Sequence, residues 1–317
     1  MALTLARPPG RVKETAARRA CLTPAMRELR VRLVVATTER RDLASGTRLQ
    51  DQQVRARNLF RDAANRIHDD AVARQHGYAG ALVAGVTISG YLTRLAVTAW
   101  GSEWLRRGTA SVRFLRPLYD GEPLAISGQV AARSAAETAG EAAIEIQGGT
   151  PRDEIAVTMT AGLAWGGPAF IPDPRGYPAR PLPAAPVPAT ATGLASIEVL
   201  GAPVLDLDAA ALARAADDLE DPSPLYRGVE AVVHPGLLLR QANRALAENV
   251  ALGPWIHVAS DVAHCGTAAA GDRLETRGRV ARTYERKGRG WVDLDLLIFA
   301  RGARPIARVY HTAIYRL

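Results

Sequence analysis

Apolar and polar residues alternate in four separated stretches of the chain: "EAAIEIQGG" (141–149), "EIAVTMTAGLAW" (154–165), "WVDLDLLIFA" (291–300) and "PIARVYHTAIYRL" (305–317). A period of two places successive side chains on opposite faces of a strand, so each stretch predicts a strand of an antiparallel sheet. In "WVDLDLLI", Val292, Leu294, Leu296 and Ile298 share one face, opposite Asp293 and Asp295, the pattern of a half-buried strand. Two further stretches read as helices. "PGLLLRQANRALAENV" (235–250) is helical in pattern, and "ALVAGVTISGYLTRLAVTAW" (81–100) is apolar almost all round. The latter has the length of a membrane span, but Arg94 among Gly, Ser and Thr argues for a helix buried inside a folded domain.

The order of these parts occurs twice: a lead strand or loop, one long helix, then several antiparallel strands. Turn chemistry repeats as well, since "LYDGEPLAISGQV" and "AAAGDRLETRGRV" each set Gly beside an acid ahead of an alternating run. An internal duplication is the economical explanation. A helix that is apolar on most sides needs a sheet to wrap it, which predicts an α+β architecture of two helix-in-sheet halves. Between them, eight of the twenty prolines fall within "PAFIPDPRGYPARPLPAAPVP" (168–188), an extended connector. The expected divisions are a basic, disordered N-terminal extension over 1–50, a first half over 51–166, a Pro-rich linker over 167–193 and a second half over 194–317.

Charge narrows the function classes. The 317 residues carry a net +8, but residues 1–50 hold eleven Lys/Arg against four acids, so the extension contributes +7 and the body +1. Without basic residues interleaved with aromatics along the body, a nucleic-acid groove is not expected. The Arg-rich start lacks the apolar run of a secretory signal, and Cys21 and Cys265 give no disulfide framework, so a cytoplasmic setting is expected. No HExxH or CxxC spacing suggests a metal, no G-x-G-x-x-G or Walker pattern opens a helix to suggest a nucleotide cofactor, and G-x-S-x-G is absent.

The densest set of proton-handling groups is "AANRIHDDA" (63–71). Either His68 is a general acid/base, or the stretch caps a helix, with Asp69 or Asp70 as the N-cap. In the second half, "DPSPLY" (221–226) reads as an ordinary turn or as a counterpart of that stretch. His234 in "VVHPGL" precedes a helix start and reads as a buried histidine bonded to backbone or as a site residue. His257, His264 and His311 fall on predicted strands and receive no role.

The segment "SVRFLRPLYDGEPL" (111–124) closely resembles the strand and turn R-F-x-x-P-h-x-x-G-[DE]-x-h, h being apolar, of the MaoC-like branch of the hotdog fold. That branch comprises the (R)-specific enoyl-CoA hydratases and related acyl dehydratases, and Arg113, Phe114, Pro117, Gly121 and Glu122 fall in register with it. Gly85 in "ALVAGV" and Gly236 in "VVHPGL" are similar to the family's His-Gly helix start. Over residues 52–317 the resemblance implies a double hotdog, with an acyl thioester on CoA or an acyl carrier protein as substrate. It implies hydration or dehydration at C2–C3 without a cofactor, and further homodimerisation is possible. Family members carry Asp-x-Asn-Pro-apolar-His. Here Asn65, Ile67 and His68 match while Ala63 replaces the aspartate; in the second half Asp221 and Pro224 match while Tyr226 replaces the histidine. The resemblance therefore implies His68 as acid/base and Asn65 as orienting group, with Asp70 or Asp62 supplying a carboxylate. The amides at Gly85 or Gly236 would bind a developing oxyanion, and Asp221, Tyr226 and His234 form a possible second-half site. A hotdog thioesterase and a non-catalytic acyl-binding protein are the alternatives.

Overall fold

Ten strands form one antiparallel sheet, and the chain enters it twice by the same path. A computed structural model describes residues 43–131, 141–152, 154–164 and 172–317. The extension up to residue 42 and the start of the linker, 167–171, lie outside the described residues. Residues 40–317 are one unit by contact.

In chain order the strands are β1 (Gln52–Arg55), β2 (Thr109–Phe114), β3 (Pro123–Val130), β4 (Glu141–Gly149), β5 (Ile155–Ala164), β6 (Val187–Pro188), β7 (Val204–Asp206), β8 (Val250–Ala251), β9 (Ile256–His264), β10 (Arg273–Arg286), β11 (Arg289–Ala300) and β12 (Arg304–Arg316). The helices are α1 (Asp70–Gln75), α2 (Gly85–Arg107), α3 (Ala191–Ala195), α4 (Ala209–Asp218) and α5 (Pro235–Ala247). The large sheet runs β1-β3-β4-β5-β2-β9-β12-β11-β10-β7, while β6 and β8 make a short parallel pair. Read outward from the centre, each half repeats one strand order. The halves join where β2 pairs with β9, Ser111 opposite Asp261 and Val112 opposite Ser260. Pairing with β3 begins ahead of residue 51, where the amide of Gly46 donates to Val130 O (3.0 Å) and that of Leu49 to Gly128 O (2.8 Å).

The duplication shows in individual bonds. Leu82 bridges Tyr119 and Val232 bridges Ala269, the second pair numbered 150 higher. Val83 N donates to Leu118 O and Val233 N to Ala268 O, both at 2.8 Å. The turn acids match too: Glu122 Oε2 accepts from Tyr119 N (3.1 Å) and Asp272 Oδ2 from Ala269 N (3.0 Å).

Helix α2 starts four residues later and runs seven further than the pattern over 81–100 predicts. Gly101 (φ 57°, ψ −142°) breaks its helical geometry, a conformation glycine adopts without a Cβ penalty. Val86, Tyr91, Leu92, Leu95, Trp100 and Trp104 are all buried, because α2 packs on the sheet and against α5 at once. No helix among the described residues is long and apolar enough to cross a membrane.

The outer face of the second half departs from the half-buried expectation. Asp293 and Asp295 are 1% and 2% exposed. Arg282 covers Asp293, while Arg279, Arg308 and the hydroxyl of Tyr177 converge on Asp295. Tyr177 comes from the Pro-rich segment, which lays its ring against Leu297 and Phe299. The connector thus covers one face of β11, a tertiary contact that strand alternation does not encode.

Candidate functional site

The two helix starts lie at matching positions but differ in residue and finish: at the 150-residue offset Gly85 corresponds to Pro235, which has no N–H, and Val86 to Gly236. In the first half the N-cap of α2 is Ala84, which has no capping side chain. The first helical bonds run from Thr87 N and Ile88 N to Ala84 O (2.9 and 3.2 Å), so the amides of Gly85 and Val86 precede them. In the second half the N-cap of α5 is His234, whose Nδ1 accepts from Gly236 N (3.0 Å). A donor on Nδ1 puts the ring proton on Nε2, which donates to Asp221 Oδ2 (3.2 Å). One helix end is open; the other is closed by its own histidine.

This closure occupies one of the groups expected of a second-half site. The Gly236 amide is occupied, and Asp221, Tyr226 and His234 are 2%, 0% and 0% exposed. Tyr226 lies 4.4 Å from the His234 ring and Arg94 Nε 3.9 Å from Asp221 Oδ2. Burial holds the His234 imidazole below its ordinary pKa despite the Asp221 bond. Burial would raise the Asp221 carboxyl, but the bonds from His234 and the Ser223 amide and the charge of Arg94 outweigh it, so its pKa is lowered. Asp221, Tyr226 and His234 form a buried cluster, and of the three Asp221 also borders a separate cavity lined by Arg94 and residues 222–225.

In the first half a cleft of about 170 Å³ lies where the start of α2 meets the beginning of β9. Asn65, His68, Gly85, Phe114, Asn243, Trp255 and His257 are among its lining residues, with the guanidinium-bearing Arg116 and Arg289. A single 3-10 turn, Arg66–His68, delivers His68 to it. Asn65 caps that turn, its Oδ1 accepting from Ile67 N (3.3 Å) and Trp255 N (3.2 Å) while its Nδ2 donates to Trp255 O (2.9 Å). The side-chain amide of Asn65 thus acts like a peptide unit, pinning the turn to the second half.

His68 is buried, and its Nδ1 lies 2.7 Å from Leu82 O. A carbonyl only accepts, so the ring proton sits on Nδ1 and Nε2 keeps its lone pair, with Asn65 Nδ2 3.5 Å away. Burial lowers the imidazole pKa, and the Leu82 bond only partly offsets this, so the ring is neutral at pH 7. No carboxylate among the described residues bonds to it. Asp70 Oδ1 instead accepts from Ala81 N (2.8 Å), and its carboxylate faces Arg61 and Arg74 at 3.7 and 3.9 Å. Asp62 is exposed. Neither partners His68 as expected; Leu82 O holds the ring in place of a carboxylate. Asp69 is the N-cap of α1, its Oδ1 accepting from Ala71 and Val72 N (3.0 and 3.1 Å).

His257, given no role from sequence, borders the open helix end. Its Nε2 lies 2.8 Å from Ser260 Oγ, which is 3.0 Å from His311 Nδ1, and the two rings are 4.2 Å apart. Both are held neutral by burial, His311 pushed down to about 3 and His257 well below its ordinary value, with His311 also acting on the latter. A Cβ on Gly85 would sit 2.8 Å from His257 Nδ1 and 2.9 Å from Phe114 Cε2. Gly85→Ala is therefore expected to cost about 1–3 kcal/mol by overpacking, read as a lower denaturant midpoint at unchanged m. Gly236→Ala, whose nearest contacts are Leu219 Cδ1 at 3.0 Å and His234 Nδ1 at 3.2 Å, is expected to cost less. An equal cost at both positions would contradict this packing.

No family model and no curated protein sequence matches the chain. Solved structures do. A Chloroflexus aurantiacus protein described as a MaoC-domain dehydratase superposes with a TM-score of 0.61 at 13% identity, over 88% of this chain and 97% of that one. A protein described as a MaoC-like dehydratase gives 0.57 at 13% identity over 87% and 99%. A conserved Mycobacterium tuberculosis protein described as having a double hotdog fold gives 0.55 at 15% identity over 86% and 97%. The architecture is the α+β double hotdog fold, with a long helix in each half against the antiparallel sheet.

Proposed function

We propose that the chain is an acyl-thioester enzyme that adds water to, or removes it from, C2–C3 of a short 2-enoyl or 3-hydroxyacyl group carried on CoA or an acyl carrier protein. One observation carries the reading: an imidazole with its lone pair on Nε2 and an uncapped helix end border the same cleft. Two of the superposing structures, both described as dehydratases, support it.

The proposed chemistry needs one base and one oxyanion donor. As the water oxygen bonds to C3, the water proton passes to His68 Nε2 and the C2=C3 electrons shift toward the thioester oxygen. The amide of Gly85, at the positive end of α2, donates to that oxygen as its charge grows. His68 then returns the proton to C2. Water's two hydrogens and oxygen are all in the product, and the imidazole is neutral again; dehydration runs the same steps backward. A cleft of about 170 Å³ is smaller than the roughly 300–1,000 Å³ of sites that enclose drug-sized ligands, which favours short acyl groups. Arg116 and Arg289 line it, with no carboxylate among the described residues bonded to either, and favour an anionic carrier.

Incubation with short and long trans-2-enoyl-CoAs, following enoyl absorbance and free thiol together, tests this. Loss of absorbance without thiol, faster for short chains, is the expected result. Thiol release would replace hydration by thioester hydrolysis, and binding without either signal would make the protein an acyl-binding hotdog.

A further inference from the structure

A base alone does not orient a water; the second hydrogen also needs an acceptor. In the family pattern a carboxylate five residues before the histidine is available, and here Ala63 occupies that position. Of the amide and imidazole acceptors bordering the cleft, Asn65 Oδ1 is committed to the amides of Ile67 and Trp255, while His257 Nδ1 is buried without a hydrogen-bond partner among the described residues. Asn243 Oδ1 shares that state, buried without a hydrogen-bond partner among the described residues and on a residue that lines the cleft, but an amide oxygen can only accept, whereas either ring nitrogen of His257 can carry the proton. Asn243 lies on α5 of the second half, one turn after Arg240, whose guanidinium sits 5.0 Å over the Phe60 ring. That ring is in turn 5.8 Å from the His68 imidazole, so this face of α5 borders the surroundings of His68.

We propose that Asn243 is the second water-holding group of the cleft, accepting one hydrogen of the reacting water through Oδ1 while His68 Nε2 accepts the other. The inference rests on reading the cleft as a site of water addition. It accounts for a polar atom otherwise kept unpartnered at a cost to stability. It also divides the work between the halves: the first supplies the base and the oxyanion donor, and the second supplies the acceptor that aligns the nucleophile. A neutral amide cannot take the proton, so the proton still passes to His68, and the step balances as written above.

The test compares wild type, Asn243→Leu and Asn243→Asp on the best enoyl-CoA of the panel. Asn243→Leu is expected to lower kcat about 10–100-fold, with KM within about threefold and a thermal midpoint no lower than wild type, since the variant removes an unpartnered buried oxygen. Asn243→Asp is expected to recover part of the rate and add an acidic limb to the pH profile, because a carboxylate accepts only while ionised. Wild-type kcat in Asn243→Leu, or a fall in kcat accompanied by equal loss of binding and stability, would overturn the role of Asn243 and leave the site's function standing. A wild type inert on every enoyl-CoA would overturn both.

Discussion

Replacing His68 by asparagine is expected to lower turnover by about 10²–10⁴-fold, the range for loss of a general acid/base, with little change in affinity for an unreactive acyl-CoA. Asparagine suits the test because its Nδ2–H can take the place of the imidazole Nδ1–H that donates to Leu82 O (2.7 Å). His68→Ala would leave that carbonyl without its partner, at about 1–3 kcal/mol, and confuse folding with chemistry. Because burial lowers the pKa of His68, kcat/KM is expected to level off below pH 6.5 rather than above it. A fall of less than about tenfold in kcat for His68→Asn would remove His68 from the mechanism.

The second large effect is acid lability. His264 is pushed down to about 4 and His311 to about 3, both by burial, and His68, His234 and His257 are lowered as well. Each is neutral in the fold and takes up a proton near pH 6.5 once unfolded. Below pH 6.5 the unfolded chain therefore binds more protons, and stability falls as pH falls, at about 1.4 kcal/mol per group per pH unit, until the folded-state pKa is reached. His264 and His311 alone carry this loss down to pH 4 and below, several kcal/mol against a typical total of about 5–15. Two buried carboxylates with lowered pKa, Asp221 and Asp272, act separately: their contribution is present above about 3.8 and is lost only below it. Urea midpoints measured from pH 7 to pH 4.5 are expected to drop steadily, and His264→Leu to flatten the slope. A flat profile over that range would show that these rings are not buried neutral.

Much of the scaffold was legible because it is periodic. The strands at 141–149, 155–164, 289–300 and 304–316 follow from alternation and the start of α5 from its proline, whereas α2 begins at Gly85, four residues inside the apolar stretch. The candidate base was legible because Asn65, Ile67 and His68 keep a register on one local turn. What escaped is long-range. Asp62 and Asp70 lie near His68 in sequence, but Asp70 faces the Ala81 amide, and sequence distance does not fix which way a side chain points. His257 and Asn243 reach the cleft from the second half and carry no local signal tying them to residue 68. The closure of the second helix start was visible in principle: at the 150-residue offset, His234 stands where the first half has Ala84. Only the bond from Gly236 N to its ring shows that the histidine seals the end.

Amide NMR distinguishes the two helix ends. An acyl-CoA analogue with a methylene in place of the thioester sulfur would be added to deuterated, ¹⁵N-labelled protein, and the backbone resonances of Gly85 and Gly236 compared. The Gly85 amide is expected to move downfield as it donates to the carbonyl oxygen, with Gly236 unmoved beneath His234. Movement at Gly236 with none at Gly85, or saturation binding that leaves both in place, would contradict it.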